Sequence, residues 1–586
     1  MAPQQPHPRK RVRVSKWVTF AASCIIQTCA GLSYSFSLYG PALKERMGLT
    51  QVEIATIGSA VNFGGYFAIV SGAVYDAVKG HHKIGPRLVM AMGSVCCVCG
   101  YLGLWMLASG RASGGMAELL LLAAVAGNAG TWYDTAALVT NVRNFPNSRG
   151  FVVGILKSFL GLSASVYATL YAATLAPDAI TFLLVIALAP PLVNTLMSSL
   201  VNYVPWVEAS ETAGRRGQGG VSSERRFLLT YYLVGATAAY QCAAALAISA
   251  ADPPRAVRGA LAAGCLCLLA LVGLVPRGAG GWWAEYDHEH TSADDAPTAD
   301  DAFPCADDDG GAASGAGALH AAPERAPLLS PERGPENSAP QPPPPQAQLP
   351  PELPSLSTAG MVATFEFYCV FAQFCVGTGA GLALLNNAGQ LFVALGGAPG
   401  GHVVLVSLFS VANATGRLVM GYLPEAALHS RGTPRPLFLV AVAAGMSLAS
   451  LAAAYSGLAA LYPVTVVMGL LFGSHWSLVP AITSDLFGLA NFGSNYCFLQ
   501  FAPAAGSYLL ATRLAGRLYD AAAAAHGDPR ECIGPDCFRA AFLILSAMAA
   551  LSALGCGACA VRSRGAYRLI VKHLKQVEES EQQLSA

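Results

Sequence analysis

Charged residues are scarce in this sequence. Asp, Glu, Lys and Arg together make up 12% of the 586 residues, whereas hydrophobic residues make up 54%. A soluble domain usually carries about 25% charged residues. The deficit excludes a protein whose whole surface faces water, and it indicates that lipid surrounds most of the chain.

Catalytic and metal-binding patterns are also lacking. The sequence offers no nucleophile, base and orienting group at compatible spacing. Cys556 and Cys559 have CxxC spacing, but they lie in an apolar run that supplies no further metal ligand. We therefore expect no enzyme activity, no cofactor and no bound metal. A net charge of +1 gives no sign of a nucleic-acid partner.

Long apolar runs are what the sequence has in abundance. A helix needs about 20 residues to cross a hydrocarbon core, and roughly fourteen runs reach that length. Backbone groups in lipid must pair within their own segment, so these runs are expected to be helices. They lie near residues 17–40, 54–76, 88–108, 118–141, 151–174, 180–203, 227–250, 258–276, 361–385, 402–423, 436–456, 459–482, 495–515 and 540–561.

Basic residues cluster before the first run, after the sixth and after the last. The positive-inside rule places such segments in the cytosol, so both termini are expected there and the number of spans is expected to be even. We predict a multi-pass protein of the plasma membrane or of a vacuolar or other endomembrane. The basic residues are Arg9, Lys10, Arg11, Arg13, Lys16, Arg215, Arg216, Arg225, Arg226, Arg562, Arg564, Arg568, Lys572 and Lys575.

Residues 277–357 interrupt the apolar pattern with Asp-rich and Pro-rich stretches. Such a segment cannot bury a core and is predicted to be a disordered cytosolic loop. Within it, Glu324 followed by Leu328 and Leu329 resembles a sorting motif read by adaptor proteins, although short motifs recur by chance. The predicted organisation is a basic tail (1–16), a six-helix half (17–204), an inserted helix pair (227–276), the loop (277–357), a second six-helix half (358–561) and a cytosolic tail (562–586).

A weak internal repeat relates the two halves. Gln27 to Gly31 in the first span matches Gln373 to Gly377 in the ninth, and Gly130 to Asp134 in the fourth matches Gly473 to Ser477 in the twelfth. The repeats run parallel, because an even number of crossings separates them. This predicts an all-α membrane protein of the major facilitator type, with two pseudo-symmetric halves and an inserted pair.

Several stretches resemble the plant and algal nodulin-like branch of the major facilitator superfamily. The resemblance implies a membrane transporter with more distant similarity to carboxylate carriers such as oxalate–formate exchangers, and it leaves the substrate open. The stretches are Tyr34-Ser35-Phe36 with Tyr39 and Lys44, Asn144 to Gly150 with Gly154 to Lys157, Gly161 to Ser163, Asn386-Asn387 to Gln390, Gly416-Arg417, Asp485 to Gly488, Tyr519-Asp520, and Cys532 to Cys537.

Two ionisable residues inside spans are candidates for coupling solute movement to protons. A buried ionisable side chain in a membrane is costly, so it marks a functional site by default. Asp134 either faces a cavity, where it binds a cation or carries a proton, or bonds to Thr131 or Tyr133. An ordinary histidine titrates near neutral pH, and His475 either faces Asp134 across that cavity or serves as a structural hydrogen-bond donor.

Uncharged polar and aromatic residues are candidate contacts for the solute. The first helix of each half lines the cavity in this superfamily, so the resemblance favours its polar residues; interhelical hydrogen bonding is the competing explanation. With the residues around Asp134 and His475, the candidates are Gln27, Tyr34, Trp132, Tyr133, Gln373, Asn386, Asn387, Gln390 and Trp476.

Charged residues near the predicted cytosolic ends of the spans are candidate gates. Ion pairs there can form in one conformation and break in the other, whereas the alternative is snorkelling at a helix end. The candidates are Asp76, Arg149, Glu366, Arg417, Glu425 and Asp485, with Arg143 nearby. At the other membrane face, Cys532 and Cys537 form a disulfide if their loop faces an oxidising lumen or exterior.

Two functions remain open at this point. The first is a secondary transporter that moves a small anionic or zwitterionic solute by alternating access, with membrane lipid and sorting adaptors as its other partners. The second is a receptor or scaffold that uses the fold without transport and signals through the long acidic loop.

Overall fold

The computed structural model describes residues 15–49, 51–78, 84–146, 148–176, 178–203, 223–251, 253–277, 355–397, 403–525 and 532–583. In these ranges the chain forms α-helices with short 3-10 and π segments, and no β-strand. The sorting candidates Glu324, Leu328 and Leu329, with almost all of the predicted loop 277–357, lie outside the described residues.

The first half is built from long helices with internal breaks. A 3-10 turn at Leu32–Ser35 separates the first two helices, and a π segment at Val98–Leu102 interrupts the third span. The helices are α1 (Lys16–Ala30), α2 (Phe36–Met47), α3 (Gln51–Tyr66), α4 (Ile69–Ala77), α5 (Ile84–Cys97), α6 (Gly103–Ala108), α7 (Met116–Asn144), α8 (Arg149–Thr174) and α9 (Ala179–Ser198).

The predicted insertion is a helix pair, α10 (Ser223–Ala251) and α11 (Arg255–Ala270), which continues as a 3-10 turn to Leu274. It packs mainly on the first half: Phe227 contacts Trp17, with ring centroids 5.0 Å apart, and Thr169 Oγ1 donates to Gln241 Oε1 at 2.8 Å. Tyr231 of α10 also contacts Tyr422 of the second half, at 5.6 Å. The pair therefore touches both halves.

The second half is also built from long helices with internal breaks. Its π segment, Gly506–Leu514, interrupts the thirteenth predicted span. The helices are α12 (Thr358–Val362), α13 (Phe365–Asn386), α14 (Ala388–Ala394), α15 (Val403–Arg431), α16 (Arg435–Ala454), α17 (Leu458–Phe487), α18 (Phe492–Leu499), α19 (Phe501–Ala505), α20 (Ala515–Ala525), α21 (Asp536–Arg562) and α22 (Arg564–Gln583).

Ten segments of the described chain are long and apolar enough to cross a membrane. The first, fourth, seventh and thirteenth predicted spans are helical but are not among the ten. The first and thirteenth are broken, and the fourth carries buried polar residues such as Asn141. The count of roughly fourteen spans stays a prediction.

Glycines allow equivalent helices of the two halves to pack at close range. Gly127 of α7 lies against the backbone carbonyl of Val61 in α3, and Gly473 of α17 lies against the carbonyl of Asn413 in α15. A Cβ at either glycine would overlap that carbonyl. Because helix association in lipid depends on contact rather than on hydrophobic driving force, these small residues support the same helix pair in each half.

Both ends of the described chain lie at one end of the bundle. Trp17 packs on Phe145 with ring centroids 4.9 Å apart, and Arg149, just beyond Phe145, pairs with Asp485 at 3.4 Å. Tyr567 donates to Asp485 at 3.0 Å. We call this the terminal end. At the opposite end, a disulfide joins Cys532 to Cys537.

Candidate solute-binding site and gates

A narrow cavity of about 30 Å³ lies between the two halves near the middle of the bundle. It extends from Asp134 and Lys157 toward the opposite end. Its volume is enough for about two water molecules, so a solute of several heavy atoms needs the halves to separate. The lining residues are Ala30, Ser33, Tyr34, Gly65, Tyr66, Gly127, Gly130, Thr131, Asp134, Lys157, Leu160, Trp476 and Gln500.

A buried ion pair forms the inner end of this cavity. Lys157 Nζ of α8 donates to Asp134 Oδ2 of α7 at 2.6 Å, and Gln27 Nε2 of α1 donates to Asp134 Oδ1 at 2.9 Å. Lys157 is 1% exposed and Asp134 is 4% exposed. Gly130 lies against the Ala30 carbonyl, which brings α1 close enough to α7 for Gln27 to reach the carboxylate.

Arg417 adds a second buried cation from the other half. Its Nη1 donates to the Lys157 carbonyl at 2.8 Å and its Nε donates to Asn413 Oδ1 at 2.9 Å, while Nη2 has no hydrogen-bond partner among the described residues. The prediction that Arg417 lies near the end of its span was wrong. Because α15 continues to Arg431, Arg417 lies near the middle of the helix and is completely buried.

Aromatic rings and one amide also line the cavity. Trp476 stacks on Tyr66 with ring centroids 5.8 Å apart, and the Arg417 guanidinium lies 5.4 Å from the Trp476 ring. Within the described chain, Trp476 Nε1 and Gln500 Nε2 are buried without a hydrogen-bond partner. Together with Arg417 Nη2, they leave three donors unsatisfied beside the cavity. Such groups are costly unless something accepts from them.

His475 does not line the cavity. Its Nδ1 lies 2.8 Å from the Leu471 carbonyl, so Nδ1 carries the proton. Its Nε2 lies 2.8 Å from Gln373 Nε2 and accepts from it, while Gln373 Oε1 accepts from Ser552. A neutral imidazole therefore satisfies this network completely. The two halves use their repeat-related glutamines alike, since Gln27 binds Asp134 and Gln373 binds His475.

Several predicted contacts lie elsewhere. Trp132 bonds to Asn128 at 2.8 Å and Tyr133 to Ser94 at 3.2 Å, within the packed first half. Asn387 donates to the Ala383 carbonyl of its own helix. Asn386 and Gln390 are exposed. Of the uncharged candidates, Tyr34 and Trp476 line the cavity, and Gln27 and Gln373 hold the two central polar groups.

The terminal end carries a charge network between the halves. Arg435 pairs with both Asp485 and Glu425. Arg149 of the first half pairs with Asp485 at 3.4 Å, and the backbone N–H of Gly150 donates to Glu425 at 3.0 Å. The predicted gates Arg149, Glu425 and Asp485 therefore belong to one buried cluster that joins the halves.

A second contact between the halves involves Asp76. Its carboxylate pairs with Arg143 at 3.0 Å and accepts from the backbone N–H of Ser494 at 2.7 Å, near the start of α18. The positive end of a helix dipole favours an anion there. Glu366 lies apart from both clusters, because it pairs with Arg562 at 2.9 Å within the second half.

Three residues of these clusters were not among the predicted site residues. Lys157, Arg435 and Tyr567 are all buried and bonded to predicted ones. A signal for Lys157 was present, because a lysine within an apolar span marks a functional site by default. No local pattern distinguishes Arg435 or Tyr567 from ordinary residues at helix ends.

Comparison with known proteins gives one consistent result. The model of the nodulin-like family matches residues 16–276, and that of the NFD4 C-terminal domain matches residues 355–569. Protein NUCLEAR FUSION DEFECTIVE 4 of Arabidopsis thaliana is 25% identical, over 95% of this chain and 90% of that protein. The probable transporter mch1 of Emericella nidulans is 30% identical, over 28% of this chain and 32% of that protein. The major facilitator superfamily proton:xylose symporter XylE, solved with 6-bromo-6-deoxy-D-glucose, is similar in fold, with a TM-score of 0.51 at 11% identity over 92% of this chain and 94% of that one.

Proposed function

The chain belongs to the nodulin-like family of the major facilitator superfamily and is a membrane transporter, and we propose that it moves a small anionic solute by alternating access. In this mechanism the two halves rock around a central site that is exposed first to one side of the membrane and then to the other.

The distribution of contacts between the halves supports alternating access. The Arg149–Asp485 pair, the Gly150–Glu425 bond and the Asp76–Ser494 bond all lie at the terminal end. The central cavity extends from Lys157 the other way. This is the arrangement expected of a conformation that is closed at the terminal end. Opening that end requires these bonds to break, so we propose that they are the gates.

The buried charges carry the proposal of an anionic solute. Beside the cavity, the described residues supply two cations, Lys157 and Arg417, and one carboxylate, Asp134. An uncompensated buried charge is strongly unfavourable, and a small anion would neutralise the surplus cation. The unsatisfied donors of Arg417, Trp476 and Gln500 suit the same ligand, because carboxylate oxygens only accept hydrogen bonds.

A zwitterion is the alternative at the same site. Its carboxylate would take the place proposed for the anion, and its ammonium would compete with Lys157 for Asp134. The two ligands differ in what they require of Asp134. An anion needs only the two cations, whereas a zwitterion needs the ionised carboxylate as well.

We assign proton coupling to Asp134 rather than to His475. A proton on Asp134 would weaken its attraction to Lys157 and free this lysine for an anionic solute, so that one proton and one negative charge cross together. His475 needs no proton to complete its hydrogen bonds. The terminal end carries Lys16 and the basic residues of α22, so we place it in the cytosol by the positive-inside rule.

Uptake into proteoliposomes tests the function. Purified protein would be reconstituted, and small carboxylates, amino acids and sugars would be offered across an inward proton gradient. We expect uptake of a carboxylate anion that Arg417→Gln abolishes, while the exposed Arg46→Gln control stays as active as wild type. Asp134→Asn should remove the dependence on the proton gradient. Uptake that prefers neutral sugars, or that survives Arg417→Gln, would contradict the assignment.

A further inference from the structure

The helix that follows the last span packs under the gate. After a turn at Ser563, α22 leaves the end of α21, and its Tyr567 and Ile570 are buried against the second half. Val571 lies beside Gly432, which ends α15 with a left-handed φ of 65°. The turn after α15 therefore forms part of the seat for this helix.

Tyr567 reaches the central residue of the charge network. Its hydroxyl donates to Asp485 Oδ2 at 3.0 Å, and the side chain is 1% exposed. The same carboxylate accepts from Arg435 of its own half and pairs with Arg149 of the other half. A carboxylate held by two fixed donors has little freedom to rotate. Its other oxygen, Oδ1, is therefore already oriented toward Arg149 before the two halves close.

The helix also interacts electrostatically with the first half. Burial lowers the pKa of His573, and the Arg149 guanidinium lowers it further. The effect of Arg149 acts across the interface between the halves. Arg149 must leave Asp485 when the terminal end opens, and its electrostatic interaction with His573 must then weaken. The electrostatic surroundings of α22 therefore differ between the closed and open conformations, as any element that biases such an equilibrium requires.

We propose that Tyr567 is a positioning residue for transport, which orients Asp485 toward Arg149 and so makes α22 a strap that favours closure of the terminal end. The proposal rests on alternating access as the proposed function. In it, α22 has no contact with the solute. Loss of the hydroxyl would leave the central site intact but would shift the conformational equilibrium toward the state open at the terminal end.

Hydrogen exchange in lipid nanodiscs tests the strap without relying on transport. Tyr567→Phe removes only the hydroxyl and keeps the ring, and Tyr368→Phe, at an exposed tyrosine of α13, is the matched control. A hydrogen bond to a charged group contributes enough to change the equilibrium by about tenfold. We expect exchange in the first turns of α8 to rise by about that factor in Tyr567→Phe, with α16 and the thermal midpoint unchanged.

A double-mutant cycle assigns the effect to Asp485. If Tyr567 acts through this carboxylate, Asp485→Asn with Tyr567→Phe should exchange no faster than Asp485→Asn alone. Solute uptake should show a changed maximal rate, and its apparent affinity from the opposite side should fall only in proportion to the fraction of protein that shifts to the state open at the terminal end. Exchange in α8 equal to that of wild type, or additive effects of the two substitutions, would overturn the strap. Failure of wild-type protein to transport any solute would instead count against the proposed function.

Discussion

Removing the two members of the central ion pair one at a time should have unequal effects. Asp134→Asn leaves Lys157 and Arg417 buried together without a carboxylate, since Asp134 is the anion bonded to this cluster in the described chain. Breaking a buried pair in this way typically costs about 3–5 kcal/mol. Lys157 can release its proton when its partner is removed, but arginine cannot do so in a protein, so the Arg417 charge stays uncompensated.

Lys157→Gln is expected to be milder. It leaves one carboxylate and one guanidinium, so the cluster becomes neutral, and Gln27 still donates to Asp134 at 2.9 Å. A carboxylate without its partner can also take up a proton and become neutral, whereas a guanidinium cannot become neutral by losing one. We expect Lys157→Gln to destabilise by less than half as much as Asp134→Asn. The double variant should recover part of the loss, because it removes both the pair and its surplus partner.

The assay is thermal unfolding of purified protein in nanodiscs, followed by intrinsic fluorescence. Wild type, both single variants and the double variant would be compared with Asp520→Asn, an exposed carboxylate, as the control. Added carboxylate solute should raise the midpoint of Asp134→Asn more than that of wild type. If Lys157→Gln proves as damaging as Asp134→Asn, the site carries no surplus positive charge and the argument for an anionic solute fails.

Four further outcomes follow from the same geometry. His475→Asn should lower stability but keep uptake dependent on the proton gradient, as measured in proteoliposomes. Loss of that dependence would instead assign proton coupling to His475. Gly421→Ala should speed exchange in α8, because a Cβ there meets Gly154, whereas Gly235→Ala, with open space around it, should not. Deleting residues 285–350 should leave solute flux unchanged. Loss of the protein's activity in this variant would favour the receptor or scaffold that signals through the long acidic loop. Docking of α22, followed by hydrogen exchange, should weaken as pH falls below about 6.5. Burial and Arg149 lower the pKa of His573 in the docked helix, so docking favours the neutral ring. His573→Asn should remove this pH dependence of exchange.

Some residues of the two buried charge clusters could be picked out from the sequence as candidates, because a buried charge in a membrane is costly in itself. Asp134, Glu425 and Asp485 are ionisable groups in or beside apolar spans, and the membrane makes such groups expensive wherever their partners lie. Lys157 carries the same signal. The bonding partner of each could not be identified, because Asp134 meets Gln27 across 107 positions of the chain and Asp485 meets Arg149 across 336.

The local repeat was informative in a similar way. It paired the first and fourth spans with the ninth and twelfth, and the structure joins these spans by Gln27 to Asp134 and by Gln373 to His475. What the repeat did not reveal is the direction in which each side chain points. Trp476 faces the cavity and its neighbour His475 faces away, because successive helical residues are separated by about 100° around the axis.

Sequence alone determined that lipid is the solvent, that the backbone is helical and that two like-oriented halves share the chain. These properties follow from composition and from the need of each segment to satisfy its own backbone. Only the tertiary structure decided that Arg417 lies at the centre, that His475 is enclosed and that Tyr567 bonds to Asp485. The depth of a residue along its helix and the neighbour it meets are set by the packing of distant segments, and no local pattern encodes them.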